Sequence, residues 1–195
     1  MLMIKPYRRD RAVTYARAWA LSRNPLFTDF SGQGGNCTNF VSQCILAGSC
    51  VMNRTPDFGW YYISPDDRAP AWSGVSYFYD FMTGAPMFEM RNGGIGPFAV
   101  EVMRESVEPG DVIQLAANDS DWSHTVIVSE VREDGEILVC AHSVDSLDRP
   151  LSDYEYEDVR FLHILGVRTE SDDTLCYEYL LRGGAENVDD SEEQE

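Results

Sequence analysis

The stretch Ser31-Gly-Gln-Gly-Gly-Asn36-Cys37-Thr-Asn-Phe-Val-Ser-Gln-Cys44 decides the fold class of this chain of 195 residues. Its glycines predict a flexible loop, and Asn36 is a suitable N-cap for a helix that we expect from Cys37 to Ala47, closed by Gly48. Cys37 then lies in the first turn of that helix. A helix N-terminus favours a thiolate and can bind a developing oxyanion, so Cys37 is a candidate nucleophile.

The segments around this helix predict a single α+β domain over residues 1–169. Apolar residues recur at helical spacing over Pro6–Arg23, and a third helix is expected over Ser73–Thr83. Four strands follow, which we expect at Asp111–Ala116, Ser123–Val131, Glu136–Ser143 and Arg160–Val167. Helices followed by a run of strands are typical of an α+β fold. We therefore expect N-terminal helices packed on an antiparallel sheet of about four to six strands.

The net charge of −18 excludes some classes of partner. Nucleic-acid binding depends on neutralisation of phosphates by Lys and Arg, so this acidic balance argues against it. Half of the charge lies in residues 170–195, which predicts an acidic C-terminal segment that is partly disordered. No apolar run approaches the roughly 20 residues of a membrane helix, and the N-terminus does not resemble a signal peptide. We therefore expect a cytoplasmic protein that binds neither nucleic acid nor membrane.

The five cysteines do not form a recognisable metal or disulfide pattern. No CxxC pair exists, so neither a zinc ribbon nor a thioredoxin-type site is predicted. Cys44 and Cys50 lie within the predicted helix and just beyond it, where we expect them to be buried as small apolar side chains. The spacing of the cysteines therefore gives no indication of a metal site.

Two histidines lie at corresponding ends of neighbouring strands. His124 opens the strand Ser123–Val131, and the hairpin signal Asp134-Gly135 leads to a strand that carries His142. This register allows His142 or Asp145 to orient the ring of His124. A nucleophile, a base and an orienting group form the general catalytic triad. The remaining histidine, His163, is expected to be a hydrogen-bonded histidine of the core or surface.

Several sequence blocks together resemble a known family. They occur in order over residues 7–167: the block ending at Cys44, Gly59-Trp-Tyr-Tyr62, Gly110-Asp-Val-Ile-Gln-Leu115, Trp122-Ser-His-Thr-Val-Ile-Val128, Cys140-Ala-His-Ser-Val-Asp145 and Arg149-Pro-Leu-Ser152. In these blocks the chain is similar to the Putative amidase domain family, which is related to the NlpC/P60 and CHAP cysteine amidases and peptidases. The resemblance implies a papain-like fold and a hydrolase that forms a thioacyl-enzyme on a peptide-like amide.

The same resemblance implies roles for individual residues. Cys37 matches the nucleophile, His124 the general base and His142 the third polar residue, with Asp145 as its rival. Asn36 stands where the relatives typically have aspartate. Such an enzyme needs no metal or cofactor.

The substrate contacts are less well defined by the sequence. The side chain of Gln33 or Asn36, with the Cys37 N–H, is expected to stabilise the oxyanion. Trp122 is the aromatic residue best placed to line a groove. Three arginines are candidates for holding a substrate carboxylate: Arg54, Arg68 and Arg149.

Alternative functions remain open at this point. A cell-wall stem peptide is one conceivable substrate. A non-catalytic binding domain that keeps the fold is one alternative, and a thiol acyltransferase, in which an amine replaces water, is another.

Overall fold

A computed structural model describes residues 2–84, 94–118, 121–170 and 176–184 of the chain. Most of the predicted acidic segment, namely residues 171–175 and 185–195, lies outside the described residues. The part of that segment which is described contains a short helix, α5, over Cys176–Leu181. None of the helices in the described ranges is long and apolar enough to cross a membrane.

The helices precede most of the sheet, as the sequence predicted, although their bounds differ. Helix α1 spans Arg9–Trp19 and α2 spans Asn36–Ser49. The third predicted helix is two helices, α3 over Pro70–Ser73 and α4 over Val75–Thr83. They are separate because Gly74 has an extended backbone between them.

Within the described ranges, the second half of the chain and the N-terminus form an antiparallel sheet of seven strands. The four predicted strands correspond to β5 (Val112–Ala116), β6 (Trp122–Val131), β7 (Ile137–Ala141) and β9 (Asp158–Thr169). The additional strands are β1 (Met3–Lys5), β4 (Gly96–Val102) and β8 (Ser146–Pro150). Two short strands, β2 (Tyr62–Ser64) and β3 (Asp67–Arg68), pair separately. The main path runs β1-β9-β5-β6-β7-β8, and β4 also pairs with β9.

Helix α2 is the centre of the molecule, and all of its residues are buried. A helix buried on every side must satisfy its polar side chains internally. The Ser42 hydroxyl accepts a hydrogen bond from Trp60 Nε1 at 2.9 Å and donates one to the Trp72 carbonyl at 2.9 Å. Asn39 Oδ1 accepts from Trp72 Nε1 at 2.8 Å. Both tryptophans are therefore core residues that fix the loops around α2.

The sheet has a separate hydrophobic cluster on each face. The first cluster packs the helices against β-strand residues that include Val112, Ile127 and Cys140. The second, on the other face, includes Leu115, Val126, Val128 and Val139 together with residues after β8. The alternation of side chains along β6 thus assigns each residue to one face or the other.

A disulfide joins Cys50, at the end of α2, to Cys176 at the start of α5. The expectation that Cys50 is a small buried hydrophobe is therefore wrong, because its partner lies 126 residues away and no local spacing indicates the pair. Cys44 is buried and free, as expected. Disulfides persist mainly in oxidising compartments, so this one does not favour the cytoplasmic location expected from the sequence.

Candidate active site

The Gly-rich loop brings the chain into α2 through a left-handed residue. Gly35 has a φ of 98° and is the N-cap of the helix, so the prediction that Asn36 is the cap is wrong. A Cβ at Gly35 would lie 2.7 Å from the backbone oxygen of Ser73, so both conformation and space require glycine. Asn36 belongs to the first turn instead. Its Oδ1 accepts hydrogen bonds from the Phe30 backbone N–H at 3.1 Å and from Asn39 Nδ2 at 3.0 Å.

Cys37 lies in the first turn of α2, as predicted, and only 3% of its surface is exposed. Its Sγ lies 3.8 Å from Thr38 Oγ1 and 4.0 Å from the carbonyl oxygen of Ser123. The sulfur is therefore next to the start of β6, one residue before His124. It makes no hydrogen bond with a histidine ring of the described chain.

His142 lies on the same face of the sheet as α2. Its ring stacks on Phe40 with centroids 3.9 Å apart. Its Nε2 lies 2.9 Å from the Trp19 carbonyl oxygen, which can only accept. This contact is shorter than the 3.3 Å from Arg23 Nη1, so we assign the proton to this nitrogen. Its Nδ1 then accepts from Asn36 Nδ2 at 3.3 Å. Burial lowers the pKa of His142, which favours the neutral ring with its unprotonated Nδ1 toward Asn36 at the start of α2.

His124 lies on the opposite face from Cys37. Its cross-strand partner Leu115 and its neighbour Val126 both belong to the second hydrophobic cluster, whereas Thr125 bonds to α2. The ring centroid of His124 lies 5.8 Å from that of Tyr154, which packs on the second cluster. Burial lowers the pKa of His124 to about 4, and the positive charge of Arg149 adds to this shift. The structure therefore brings Cys37 and His142 to one face but places the His124 ring across the sheet.

Asp145 is bound by an arginine and does not contact a histidine ring by hydrogen bonding. Its two carboxylate oxygens accept from Arg23 at 2.9 and 3.0 Å. Arg23 Nη1 also lies 3.3 Å from His142 Nε2, and Arg23 forms an ion pair with Asp29. The Asp145 carboxylate is thus linked to the surroundings of His142 and lies away from the His124 ring.

The other residues that the sequence predicted to contact the substrate lie in different parts of the structure. Gln33 is exposed in the loop before α2. Trp122 is partly buried at the start of β6. Arg68 stacks on Phe30 beside this loop, whereas Arg149 stacks on Tyr154 on the far face. Arg54 lines a separate cavity beside the Cys50–Cys176 disulfide.

A row of polar side chains that the sequence did not predict continues from Cys37 across the sheet. Thr38 Oγ1 is 2.9 Å from Thr125 Oγ1, and Gln114 Nε2 donates to Thr125 Oγ1 at 3.3 Å. Gln114 Oε1 in turn accepts two hydrogen bonds from Arg160, at 2.8 and 2.6 Å. The available signal was Gln114 itself, a polar residue within an otherwise apolar strand.

The other titratable cluster is on a different part of the sheet. His163 Nδ1 lies 2.8 Å from Asp111 Oδ2, and Arg9 Nη1 donates to Asp111 Oδ1 at 2.6 Å. His163 is thus hydrogen-bonded, in keeping with the expectation from the sequence. Among the described residues, no group of three or more His, Cys, Asp or Glu side chains is arranged to hold a metal ion.

Comparisons with known proteins identify the family of the chain. The family model described as "Putative amidase domain" matches residues 6–165. The chain belongs to this family. The match contains α1, α2, the sheet from β4 to β8 and most of β9, and thus every predicted site residue.

Two relatives come from Bacillus subtilis (strain 168). "Uncharacterized protein YhbB" is 35% identical over 156 residues, which cover 78% of this chain and 45% of the relative. "Uncharacterized protein YjcM" is 28% identical over 155 residues, covering 75% of this chain and 33% of the relative. The chain therefore spans less than half the length of these relatives. No solved structure matches it.

Proposed function

We propose that this chain is a cysteine amidase that hydrolyses a peptide-like amide, with Cys37 as nucleophile, His124 as general base and His142 as the third polar residue. The observation that carries the proposal is the position of Cys37. It lies in the first turn of a fully buried helix, directly after a glycine-dependent turn, with its sulfur against the start of β6. Membership of the amidase family supports the same reaction class.

The proposed reaction is acyl transfer through sulfur. The thiol gives its proton to the histidine, and the Cys37 thiolate forms a C–S bond to the amide carbonyl. N–H groups at the start of α2 stabilise the oxyanion. The imidazolium then returns the proton to the leaving amine as the C–N bond breaks. Water attacks the thioester, the histidine accepts one of its protons, and the acid product leaves as the thiol is restored.

This proposal requires His124 to move. Its position directly after Ser123 places its backbone next to the Cys37 sulfur, but its ring packs against Tyr154. The pairing between β5 and β6 shifts register beside it, between Leu115 and Ala116. Such irregularities re-aim side chains, and catalytic hydrogen bonds are often formed only in the substrate complex. Substrate binding is therefore proposed to bring the His124 ring to the face of Cys37.

The rival base is His142. Its neutral tautomer leaves Nδ1 free of a proton, and Asn36 holds that nitrogen beside the N-terminus of α2. In that case His124 is a structural residue of the second hydrophobic cluster. Both assignments keep Cys37 as the nucleophile, and they differ in which histidine acts as the general base.

Acylation by p-nitrophenyl acetate tests the nucleophile without knowledge of the natural substrate. We expect one acetyl group on Cys37, detected by mass spectrometry, and none in Cys37→Ala. Cys44→Ala is the matched control, because it removes a buried thiol of the same helix and should keep the reaction. Acetylation elsewhere, or none in the folded protein, would refute the proposal.

The histidine variants then separate the two bases. His124→Asn should slow acylation by at least about 100-fold, the usual contribution of a general base, and His142→Asn should slow it less. The reverse order would transfer the base role to His142. Thermal unfolding of both variants controls for misfolding.

Two further points of the proposal concern the substrate and the acceptor. A cell-wall stem peptide is a candidate substrate, and purified cell-wall peptides should then be cleaved by the native protein but not by Cys37→Ala. Added amines distinguish hydrolysis from acyl transfer, because an acyltransferase would convert them to amides. A non-catalytic binding domain would bind the peptides without cleaving them, and Cys37→Ala would bind them as the native protein does.

A further inference from the structure

The side of the sheet that faces α2 carries an arginine, Arg160, that has no carboxylate partner among the described residues. Thr125, Gln114 and Arg160 are register partners on β6, β5 and β9. Hydrogen bonds join them in a row that reaches the Cys37 sulfur through Thr38. The row therefore links the proposed nucleophile to a cationic side chain through Thr38, Thr125 and Gln114.

The guanidinium of Arg160 is held rigidly. It stacks on Tyr79 and Trp122, with its central carbon 3.6 and 4.0 Å from the two ring centroids. Gln114 Oε1 accepts from its Nε and from one terminal nitrogen, which leaves the other terminal nitrogen, Nη1, without a hydrogen bond to the described residues. A guanidinium fixed in this way loses little side-chain entropy when it binds a ligand.

Nearby acids do not neutralise Arg160 directly. Glu101 accepts a hydrogen bond from the Tyr79 hydroxyl, and Asp80 and Asp158 are also in the neighbourhood. No carboxylate within the described ranges lies at ion-pair distance from the guanidinium. Its remaining donors thus suit an anionic group that comes from outside the chain.

The spacing sets the length of that ligand. Neighbouring strands are about 4.8 Å apart, so the backbones at Thr125 and Arg160 are separated by about 10 Å. An extended peptide advances about 3.3 Å per residue, so this distance corresponds to two or three residues. The Cys37 sulfur lies 4.0 Å from the Ser123 carbonyl oxygen, and Arg160 stacks on Trp122, the residue before Ser123. We therefore expect a carboxylate at about this distance from the scissile carbonyl to reach Arg160 while the carbonyl is at Cys37.

We propose that Arg160, with Trp122 and Tyr79, is the specificity subsite of the enzyme for a substrate carboxylate two to three residues from the scissile amide. The proposal rests on the function proposed above and names the substrate class for it. It replaces the three arginines suggested by the sequence. The sequence does not indicate Arg160, because its neighbours on β5 and β6 are distant in the sequence.

Two alkylating probes test this subsite without catalysis. Iodoacetyl-Gly-Gly with a free carboxylate is compared with its C-terminal amide, and the rate of modification at Cys37 is followed by mass spectrometry. We expect the carboxylate probe to react about tenfold faster, because its carboxylate can form one charge-assisted hydrogen bond with Arg160 that the amide cannot form. That preference should decrease at high salt, which screens the attraction.

Variants assign the preference to a residue. Arg160→Gln should reduce the rate ratio to about one, and Arg160→Lys should keep part of it. Arg168→Gln is the matched control, because Arg168 is also a partly buried arginine of β9 and stacks on Phe98. It should retain the full preference.

The outcomes separate the two proposals. Equal rates with both probes on the native protein, or a preference that is lost with Arg68→Gln and kept in Arg160→Gln, would overturn the subsite while leaving the nucleophile intact. If neither probe modifies Cys37 in the folded protein, the proposed function fails and the subsite fails with it. If Arg160→Gln lowers the rate of Cys37 modification equally for both probes, Arg160 has a structural role only, and the subsite is also refuted.

Discussion

The burial of the His124 ring predicts a specific loss of stability in acid. Its pKa is about 4 in the folded protein because burial disfavours the charged form. In the unfolded chain the value is about 6.5. Between these values the unfolded state binds a proton at His124 and the folded state does not. The free energy of unfolding therefore falls as the pH falls from about 6.5 toward 4, and this contribution is fully present above that range.

The size of this effect follows from the two pKa values. Lowering the pH from 7 to 5 should cost about 2 kcal/mol at this one group, since each unit of pKa difference corresponds to about 1.4 kcal/mol. Urea unfolding at both pH values measures the change. The same experiment on His124→Asn removes the contribution of this ring and leaves those of the other groups. The difference between the two pH dependences isolates His124.

A contribution of His124 to stability that increases as the pH falls would refute the placement of its ring. If His124 formed an imidazolium–thiolate pair with Cys37 in the free protein, its pKa would be raised and its contribution to stability would increase as the pH falls toward 5. NMR titration of the His124 ring provides a direct check. We expect no protonation of this ring between pH 8 and 5.5 in the native protein.

Three other substitutions test separate parts of the structure. Asn36→Asp places a carboxylate at the position that now lies 3.3 Å from His142 Nδ1, and its negative charge should raise the pKa of His142 in NMR titrations; an unchanged pKa contradicts the contact. Cys50→Ser opens a disulfide that spans 126 residues and should cost about 5 kcal/mol in urea unfolding, with no further effect of reductant on the variant; equal stability of both proteins argues against the bond. Gly48→Ala puts a Cβ 2.9 Å from the Arg8 carbonyl oxygen and should destabilise the protein by about 1 to 3 kcal/mol; a neutral result shows that α1 and α2 are less closely packed.

The sequence predicted the elements whose signals are local. Glycines before Cys37 and the periodic residues after it located α2, and Asp134-Gly135 located the hairpin, which is confirmed by the pairing of Val131 with Ile137. The helix end was wrong because Gly48 lies inside α2, where it allows a close approach of α1, and Cys50 provides the left-handed cap. Short strands at edges, such as β1, lack a period long enough to detect.

The relation between the two candidate histidines and Cys37 could not be derived from periodicity. The stretch from Thr125 to Val128 is buried on both faces, so alternation fixes which residues share a face but not which face receives α2. Alternation along the strand places His124 and Val126 on the same face. It could not show that this group points away from Cys37, because that depends on packing between segments more than 80 residues apart.

The central claim, that Cys37 is the nucleophile, is tested most directly by alkylation of the folded protein with iodoacetamide. Cys44 and Cys140 are the other free thiols, and both are completely buried. We predict modification of Cys37 alone, one label per chain, with acylation by p-nitrophenyl acetate lost in proportion to the label. Full acylation after complete labelling of Cys37, or selective labelling of a different cysteine, would contradict the claim.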